Sequence, residues 1–249
     1  MNKTSWGKVA KWYEKIVGDS GHYYHENVIL PNIRKILTIK PNEHVLDLGC
    51  GQGVYERTIP KDVYYTGIDI SPELIQQAKK SSLSKIHDFF VADITKPLPV
   101  PVGSIDHAIS ILALQNTSSA ETAIKNAAQT LKEGGDLTFV LNHPCFRIPR
   151  QSSWGTDLQS KLEYRRVNRY LSPLEIPINA HPGDKNSPLT WSYHEPLSYY
   201  FHALKDSGLS VIDLQEWTSD KESKGSASKM ENRARSEFPL FLAIKAVKL

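Results

Sequence analysis

From residue 44 onward, short apolar runs alternate with stretches whose apolar positions recur every three to four residues. Val45-Leu46-Asp47-Leu48 runs into a glycine cluster, as a buried parallel strand does. Residues 64–68 make a second run. Ser71-Pro72-Glu73 then reads as a helix cap with proline at the first helical position, and Leu74, Ile75 and Ala78 share one face of the helix that follows. Phe89-Phe90-Val91 is a third strand and residues 105–112 a fourth. Residues 120–131 read as a helix stopped by Gly134-Gly135, and residues 137–141 as a fifth strand. Strands and helices alternating at this spacing predict βαβ units, hence an α/β fold with a doubly wound parallel sheet.

The flanks have different rhythms. Trp12, Ile16 and Val17 have helical spacing, and a second helical stretch over residues 25–37 carries Ile29, Ile33, Ile36 and Leu37. Pro31 within it either opens that helix or kinks it. Between Asn142 and Pro196 the periodicity breaks, while Pro, Arg, Tyr, Trp and His accumulate. A connection this long is expected to be a lid or a substrate-facing insertion. Regularity returns with a helix over 197–207, a strand over 209–217 and a last strand over 238–247, and residues 219–236 read as a mobile loop. The expected organisation is one domain over 1–249. It divides into N-terminal helices (1–40), a core (43–142), an insertion or lid (143–196) and a part that completes the sheet (197–249).

Composition narrows the class without naming it. Thirty Lys and Arg face 27 Asp and Glu, a net charge of +3 that neither implies nor excludes nucleic acid. The most apolar stretch, residues 105–114, is interrupted by Asp106, His107 and Ser110 and is about half the length of a membrane span. The first residues lack the apolar run of a signal peptide. Cys50 and Cys145 show neither a CxxC pair nor zinc spacing with histidine, so no metal site is expected. Both read as reduced thiols of a cytoplasmic protein.

The chemistry concentrates behind the first strand, at Gly49-Cys50-Gly51-Gln52-Gly53. Glycines there permit a sharp turn and close approach of a ligand to the backbone, where a strand of an open parallel sheet feeds a helix. The third glycine comes one residue too early for a dinucleotide fingerprint, and the Gly-Lys-Ser/Thr ending of a phosphate loop is absent. Asp47 would repel a pyrophosphate and suits an ammonium-bearing ligand. Asp69 ends the second strand, where a carboxylate can accept both hydroxyls of a ribose. Asp93 ends the third, placed to accept an adenine amino proton.

With these residues in this order, the chain resembles the class I S-adenosylmethionine-dependent methyltransferases. The matching segments are Val45 to Gly53, Gly67-Ile68-Asp69-Ile70-Ser71, Val91-Ala92-Asp93, Ile105-Asp106 through Gln115-Asn116, and Leu131-Lys132-Glu133-Gly134-Gly135. In detail the chain looks most like the small-molecule branch that includes the ubiquinone and menaquinone methyltransferases. The resemblance implies a Rossmann-like, seven-stranded, mostly parallel sheet with an antiparallel last strand, and S-adenosylmethionine as cofactor. It implies that Gly49, Cys50, Gly51 and Gly53 carry the methionine part on their backbone and that Asp69 binds the ribose. Asp93 would bind the adenine amino group, Ile70 and Ile94 would flank the ring, and Leu112 to Gln115 would lie beneath the sulfonium.

The acceptor side is less legible, because methyl transfer from a sulfonium is an in-line displacement that rests on alignment and desolvation. His143, where the fifth strand ends, is the candidate base. Tyr23-Tyr24-His25 and Trp191-Ser192-Tyr193-His194 are candidate walls of a dry acceptor pocket, able to hold a sulfonium or a flat ring. Arg147, Arg150, Lys161, Arg165, Arg166 and Arg169 face only Asp157 and Glu163, and this basic run suits an anionic acceptor or an RNA backbone. The expected function is methyl transfer to a small aromatic or carboxylate-bearing acceptor. A tRNA or rRNA acceptor and a non-catalytic cofactor-binding partner are the alternatives.

Overall fold

Val45, Leu46 and Leu48 are all buried because β1 (His44–Leu48) lies mid-sheet with helices on both faces, so neither face needs a polar register. The structure, a computed structural model, describes residues 21–82, 84–179 and 189–249. The helix expected around Trp12, Ile16 and Val17 lies outside the described residues. The chain enters through a π-helical turn (His25–Ile29) that passes into α1 (Leu30–Ile36). Pro31 sits in the first turn of α1, where its missing N–H costs nothing, so it opens the regular helix.

β2 (Tyr64–Asp69) leads to α2 (Pro72–Ser81), capped by Ser71, whose Oγ accepts from the Leu74 amide at 3.3 Å. Then come β3 (His87–Val91), β4 (Ile105–Ile111), α3 (Ala120–Thr130) and β5 (Leu131–Asn142). The insertion holds β6 (Ser152–Asp157), β7 (Leu162–Val167), β8 (Leu174–Asn179) and β9 (Leu189–His194). The chain closes with α4 (Leu197–Asp206), β10 (Leu209–Trp217), α5 (Ser228–Glu237) and β11 (Phe241–Lys248).

The main sheet has seven strands in the order β10-β11-β5-β4-β1-β2-β3. β1 pairs in parallel with β2 and β4, β2 with β3, and β4 with β5; β11 runs antiparallel between β5 and β10. The Rossmann-like, doubly wound sheet with an antiparallel last strand is therefore present. One core cluster packs Leu46, Leu48, Ile68 and Phe139 under Ile124, Tyr200 and Leu204. The other packs Val45, Tyr65, Phe89 and Ile109 under Ile29, Ile33 and Ile75.

Four expectations need correction. Residues 51–55 are turns followed by one 3-10 turn (Glu56–Thr58), so the glycine loop does not feed a regular helix. Glu56 is held inward by His87 Nδ1 at 2.6 Å and by the Ser82 hydroxyl at 2.9 Å, which turns the chain before a helix can extend. β5 begins at Leu131, directly after α3, and Gly134-Gly135 lie inside it at an irregularity opposite Ile105 and His107. Gly134, at φ +77°, absorbs the kink. Residues 219–236 include α5, which buries only Ala234 and has no side-chain N-cap, so it carries almost no periodic signal. Asn232 secures it by bonding both backbone groups of Ser223.

The insertion is likewise more regular than its sequence. β6–β7 and β8–β9 are antiparallel hairpins. A two-stranded ribbon buries little, so Arg165 and Arg166 can occupy opposite faces of β7 without an apolar stripe. β7 packs on α5, and β9 packs on the 3-10 turn Leu114–Asn116 after β4. Both hairpins thus stand at the carboxyl edge of the sheet.

Candidate active site

The carboxyl ends of β1, β2, β3 and β4 bring the three acids and the glycine loop to one edge. Asp69 joins two of these parts directly. Its Oδ2 accepts from the Gly51 amide at 3.0 Å and its Oδ1 from the Ser71 amide at 2.9 Å. Burial pushes its pKa up, and these backbone N–H groups oppose the shift. A carboxylate has about four lone-pair sites, so these bonds leave Asp69 capacity for a further donor.

Asp93 forms an Asx turn in which Oδ1 accepts from the Thr95 amide at 2.9 Å and the Thr95 hydroxyl at 2.8 Å. Ile94 is buried in the core cluster beside α3, with its carbonyl held by Asn126, and Ile70 is half-buried after β2.

Asp47 lies on the α1 face of β1 and is almost completely buried. Its Oδ2 accepts from the Tyr65 hydroxyl at 2.7 Å. Burial pushes its pKa to about 7, against the pull of the Tyr65 hydrogen bond and with the help of neighbouring Asp69. Gly67, opposite Asp47 in the sheet, makes this possible. A Cβ on Gly67 would lie 2.8 Å from Phe89, 2.9 Å from Cys50 Sγ and 3.0 Å from the Tyr65 ring. The missing side chain is where Tyr65 crosses towards Asp47 and where the Cys50 thiol is stored. Burial also raises the Cys50 thiol pKa well above the usual value, so this sulfur packs rather than reacts.

The loop glycines differ in purpose. Gly49 (φ +80°) is pressed against Ala113, so a Cβ there would overlap the alanine methyl. Gly51 (φ +54°) has nothing within 4 Å of the place a Cβ would take. Gly53 (φ +78°) packs on Ala78 and Phe89. After β4, Leu112 holds a left-handed φ of +54°, uncommon for a leucine. Its amide is fixed by the Val140 carbonyl at 2.8 Å and its carbonyl by Asn116 Nδ2 at 3.0 Å. Gln115 Oε1 accepts from the Asn142 amide at 2.8 Å, tying this turn to the end of β5.

His143 is buried and both of its ring nitrogens are engaged. Nδ1 accepts from the Cys145 amide at 3.2 Å, which leaves the proton on Nε2 to donate to Glu216 at 2.6 Å. Burial lowers its pKa and Glu216 opposes that shift. Neither nitrogen offers a free lone pair in this arrangement.

The two aromatic clusters divide. Tyr23 is exposed, donates to Asp220 at 2.8 Å and carries the Lys221 ammonium 4.2 Å above its ring. Tyr24 turns inward, edge-on to Phe241 at 5.7 Å, and its hydroxyl meets Ser219 at 3.2 Å. His25 packs on Gly21, which itself meets Val54 beside the glycine loop. Trp191 and Tyr193 share one half-buried face of β9, and His194 lies with Thr190 and Ser192 on its buried face. The β-strand period therefore separates His194 from the two aromatics, and its Nε2 is bonded to the Tyr170 carbonyl at 2.7 Å.

Tyr65, Glu216 and His22 were not singled out by sequence. Two-residue spacing along β2 puts Tyr65, Gly67 and Asp69 on one face, which is the signal that would have found Tyr65. Glu216 and His22 become visible only through contacts between distant segments. Among the described residues no group of three or more His, Cys, Asp or Glu is arranged to hold a metal ion, and no helix is long and apolar enough to cross a membrane.

Residues 46–139 match a family model described as a methyltransferase domain. The chain is 33% identical over 112 residues to a demethylmenaquinone methyltransferase of Tropheryma whipplei, covering 44% of this chain and 46% of that protein. It is 31% identical over 99 residues to an 18S rRNA (guanine(1575)-N(7))-methyltransferase of Saccharomyces cerevisiae, covering 39% of this chain and 35% of that protein. The chain thus spans less than half the length of these curated relatives. A solved S-adenosylmethionine-dependent methyltransferase from Mesorhizobium loti superposes with a TM-score of 0.69 at 25% identity, covering 88% of this chain and 96% of that one.

Residues 46–139 thus resemble a methyltransferase domain, and the chain shares its fold with the solved S-adenosylmethionine-dependent methyltransferase from Mesorhizobium loti. The residues at the edge fit S-adenosylmethionine: an open position over Gly51, a carboxylate with acceptor capacity left at Asp69, and a buried acid at Asp47.

Proposed function

We propose that the chain transfers a methyl group from S-adenosylmethionine to a small aromatic or carboxylate-bearing acceptor, of the kind served by quinone-pathway methyltransferases. The bond between Asp69 and Gly51 carries this reading, because it presets a hydroxyl acceptor beside the one glycine of the loop that faces open space. When bound, S-adenosylmethionine supplies a methyl carbon made electrophilic by a cationic sulfur. Asp69 accepts from the ribose, the free Oδ2 of Asp93 from the adenine amino group, and Asp47 faces the ammonium. Ile70 and Ile94 flank the adenine, and the strained turn from Leu112 to Gln115 forms the floor.

The chain's contribution to rate is alignment and exclusion of water. The β8–β9 hairpin, seated on the Leu114–Asn116 turn, and Tyr24, seated on Phe241, are the walls that exclude it. His143 serves by holding the end of β5 to Glu216, since its nitrogens are committed to that task.

An RNA acceptor has less support. Arg165 turns inward to bond the Phe146 carbonyl and the Ser152 hydroxyl, and Arg147 is largely buried. Arg150, Lys161 and Arg169 occupy left-handed turn positions (φ +60°, +51° and +52°) rather than one continuous face. Incubation with methyl-labelled S-adenosylmethionine and separate panels of quinols, hydroxybenzoates and total RNA tests the proposal. Label entering the small acceptors supports it; label entering only RNA, or nothing, overturns it.

A further inference from the structure

Arg147 is half-buried, and among the described residues no carboxylate meets its guanidinium. It follows the end of β5, its amide bonds the His143 carbonyl at 2.8 Å, and its guanidinium carbon lies 5.9 Å from the centre of the Phe241 ring. Tyr24 packs on that same ring from the N-terminal segment. Arg147 has no ion pair and no side-chain hydrogen bond among the described residues. Burial lowers the pKa of His22 and of Arg165, and the positive charge of Arg147 lowers both further, after that of Lys221 at His22. Burial pulls the pKa of Arg147 itself down, yet an arginine in a protein keeps its charge.

A second observation points to the same spot. The His22 ring is tilted against Tyr24 at 5.6 Å and edge-on to His25 at 5.7 Å, and the Nδ1 atoms of both histidines are buried without a hydrogen-bond partner among the described residues. Buried polar nitrogens are normally satisfied, and a buried cation is normally paired. Here a guanidinium with no partner among the described residues packs on Phe241, and two unsatisfied imidazoles lie beyond Tyr24, the ring that meets Phe241 edge-on.

We propose that Arg147, with His22 beside it, binds a carboxylate of the methyl acceptor, roofed by the rings of Tyr24 and Phe241. This rests on the methyltransferase reading and narrows its acceptor to an anion. A planar carboxylate can take two parallel N–H bonds from the guanidinium, and an imidazole N–H can supply another. The Tyr24 and Phe241 rings beside the guanidinium would pack against the flat body of an aromatic acid. The amino-acid carboxylate of S-adenosylmethionine is the rival source of the same chemistry, so the test saturates that position first.

The experiment titrates benzoate and, separately, benzamide into the full chain saturated with S-adenosylhomocysteine. Affinities and the ring protons of His22 and His25 are followed by NMR. The expected result is saturable binding of benzoate, at least about ten-fold tighter than benzamide, with the His22 signals moving. Arg147→Gln is expected to collapse that preference, Arg147→Lys to keep part of it, and Arg150→Gln, at an exposed turn, to leave it intact. A purely structural Arg147 would change stability without changing the benzoate-to-benzamide ratio.

Equal weak binding of both probes, no binding of benzoate at tens of millimolar, or a ratio unmoved by Arg147→Gln overturns the proposal. So does an Arg147→Gln variant that loses S-adenosylhomocysteine but keeps the ratio, because the carboxylate would then be the cofactor's. Binding of S-adenosylhomocysteine, measured in the same samples, reports separately on the methyltransferase reading.

Discussion

Gly49 and Ala113 touch across the gap between the carboxyl ends of β1 and β4, so closely that a methyl group on Gly49 would overlap the alanine side chain. Gly51, two residues on, has the same left-handed backbone and open space above it. Gly49→Ala should therefore unfold or severely destabilise the chain. Gly51→Ala should cost only about 1–2 kcal/mol of backbone strain while abolishing close approach of a ligand. Thermal unfolding and cofactor titration of the two variants check this contrast. Similar stability losses at both positions would contradict it.

Asp47 carries a stability cost that depends on pH. Its folded pKa, near 7, exceeds the unfolded value of 3.8, so between these values the folded chain binds more protons than the unfolded one. Stability from this group is therefore full below about pH 4 and falls as pH rises through 7, by on the order of 4 kcal/mol. Asp47→Asn, which keeps an oxygen for the Tyr65 hydroxyl, should stabilise the chain at pH 8 and weaken cofactor binding. Denaturant unfolding at pH 5 and pH 8 measures the first effect, and the gain should fall to less than half at the lower pH.

Two histidines should titrate in opposite directions from their ordinary value. His25 is held down to about 4, by burial and then by His22, so it stays neutral through pH 5. Its contribution to stability is lost only as pH falls from 6.5 towards 4. His107 lies at the far edge of the sheet. Burial draws its pKa down, but Asp136 at 2.9 Å and Glu43 at 3.0 Å hold it above 6.5 overall. Its contribution is full below 6.5 and lost as pH rises through its folded pKa. NMR titration of the ring protons checks the order: His107 must lose its proton at a higher pH than His25.

The sheet was legible because β1, β2, β4 and β5 bury both faces and announce themselves as apolar runs. α5 was not, since it buries a single alanine and leans on Asn232 and the β6–β7 hairpin. The acids at strand ends were legible as a set because parallel topology brings strand ends together. The Tyr65–Asp47 bond across Gly67 depends on inter-strand register, and the left-handed Leu112 on contacts with Val140 and Asn116. The spacing of Tyr65, Gly67 and Asp69 places them on one face, but the partner across the sheet and the turn at Leu112 leave no mark in local sequence. Arg147 was visible only as one member of a basic run that suits an anionic acceptor or an RNA backbone, with nothing to set it apart from its neighbours. It packs on Phe241, which Tyr24 meets from the other end of the chain.

Calorimetric titration of S-adenosylmethionine into the chain and its Asp69→Ala variant tests the central claim most directly. The carboxylate of Asp69 both seats the Gly51 amide and faces the expected ribose. Saturable binding to the unaltered chain, about 10- to 100-fold weaker in the variant while its fold survives, is the predicted result. No binding to the folded chain at millimolar ligand, or equal affinity in the two proteins, would contradict it.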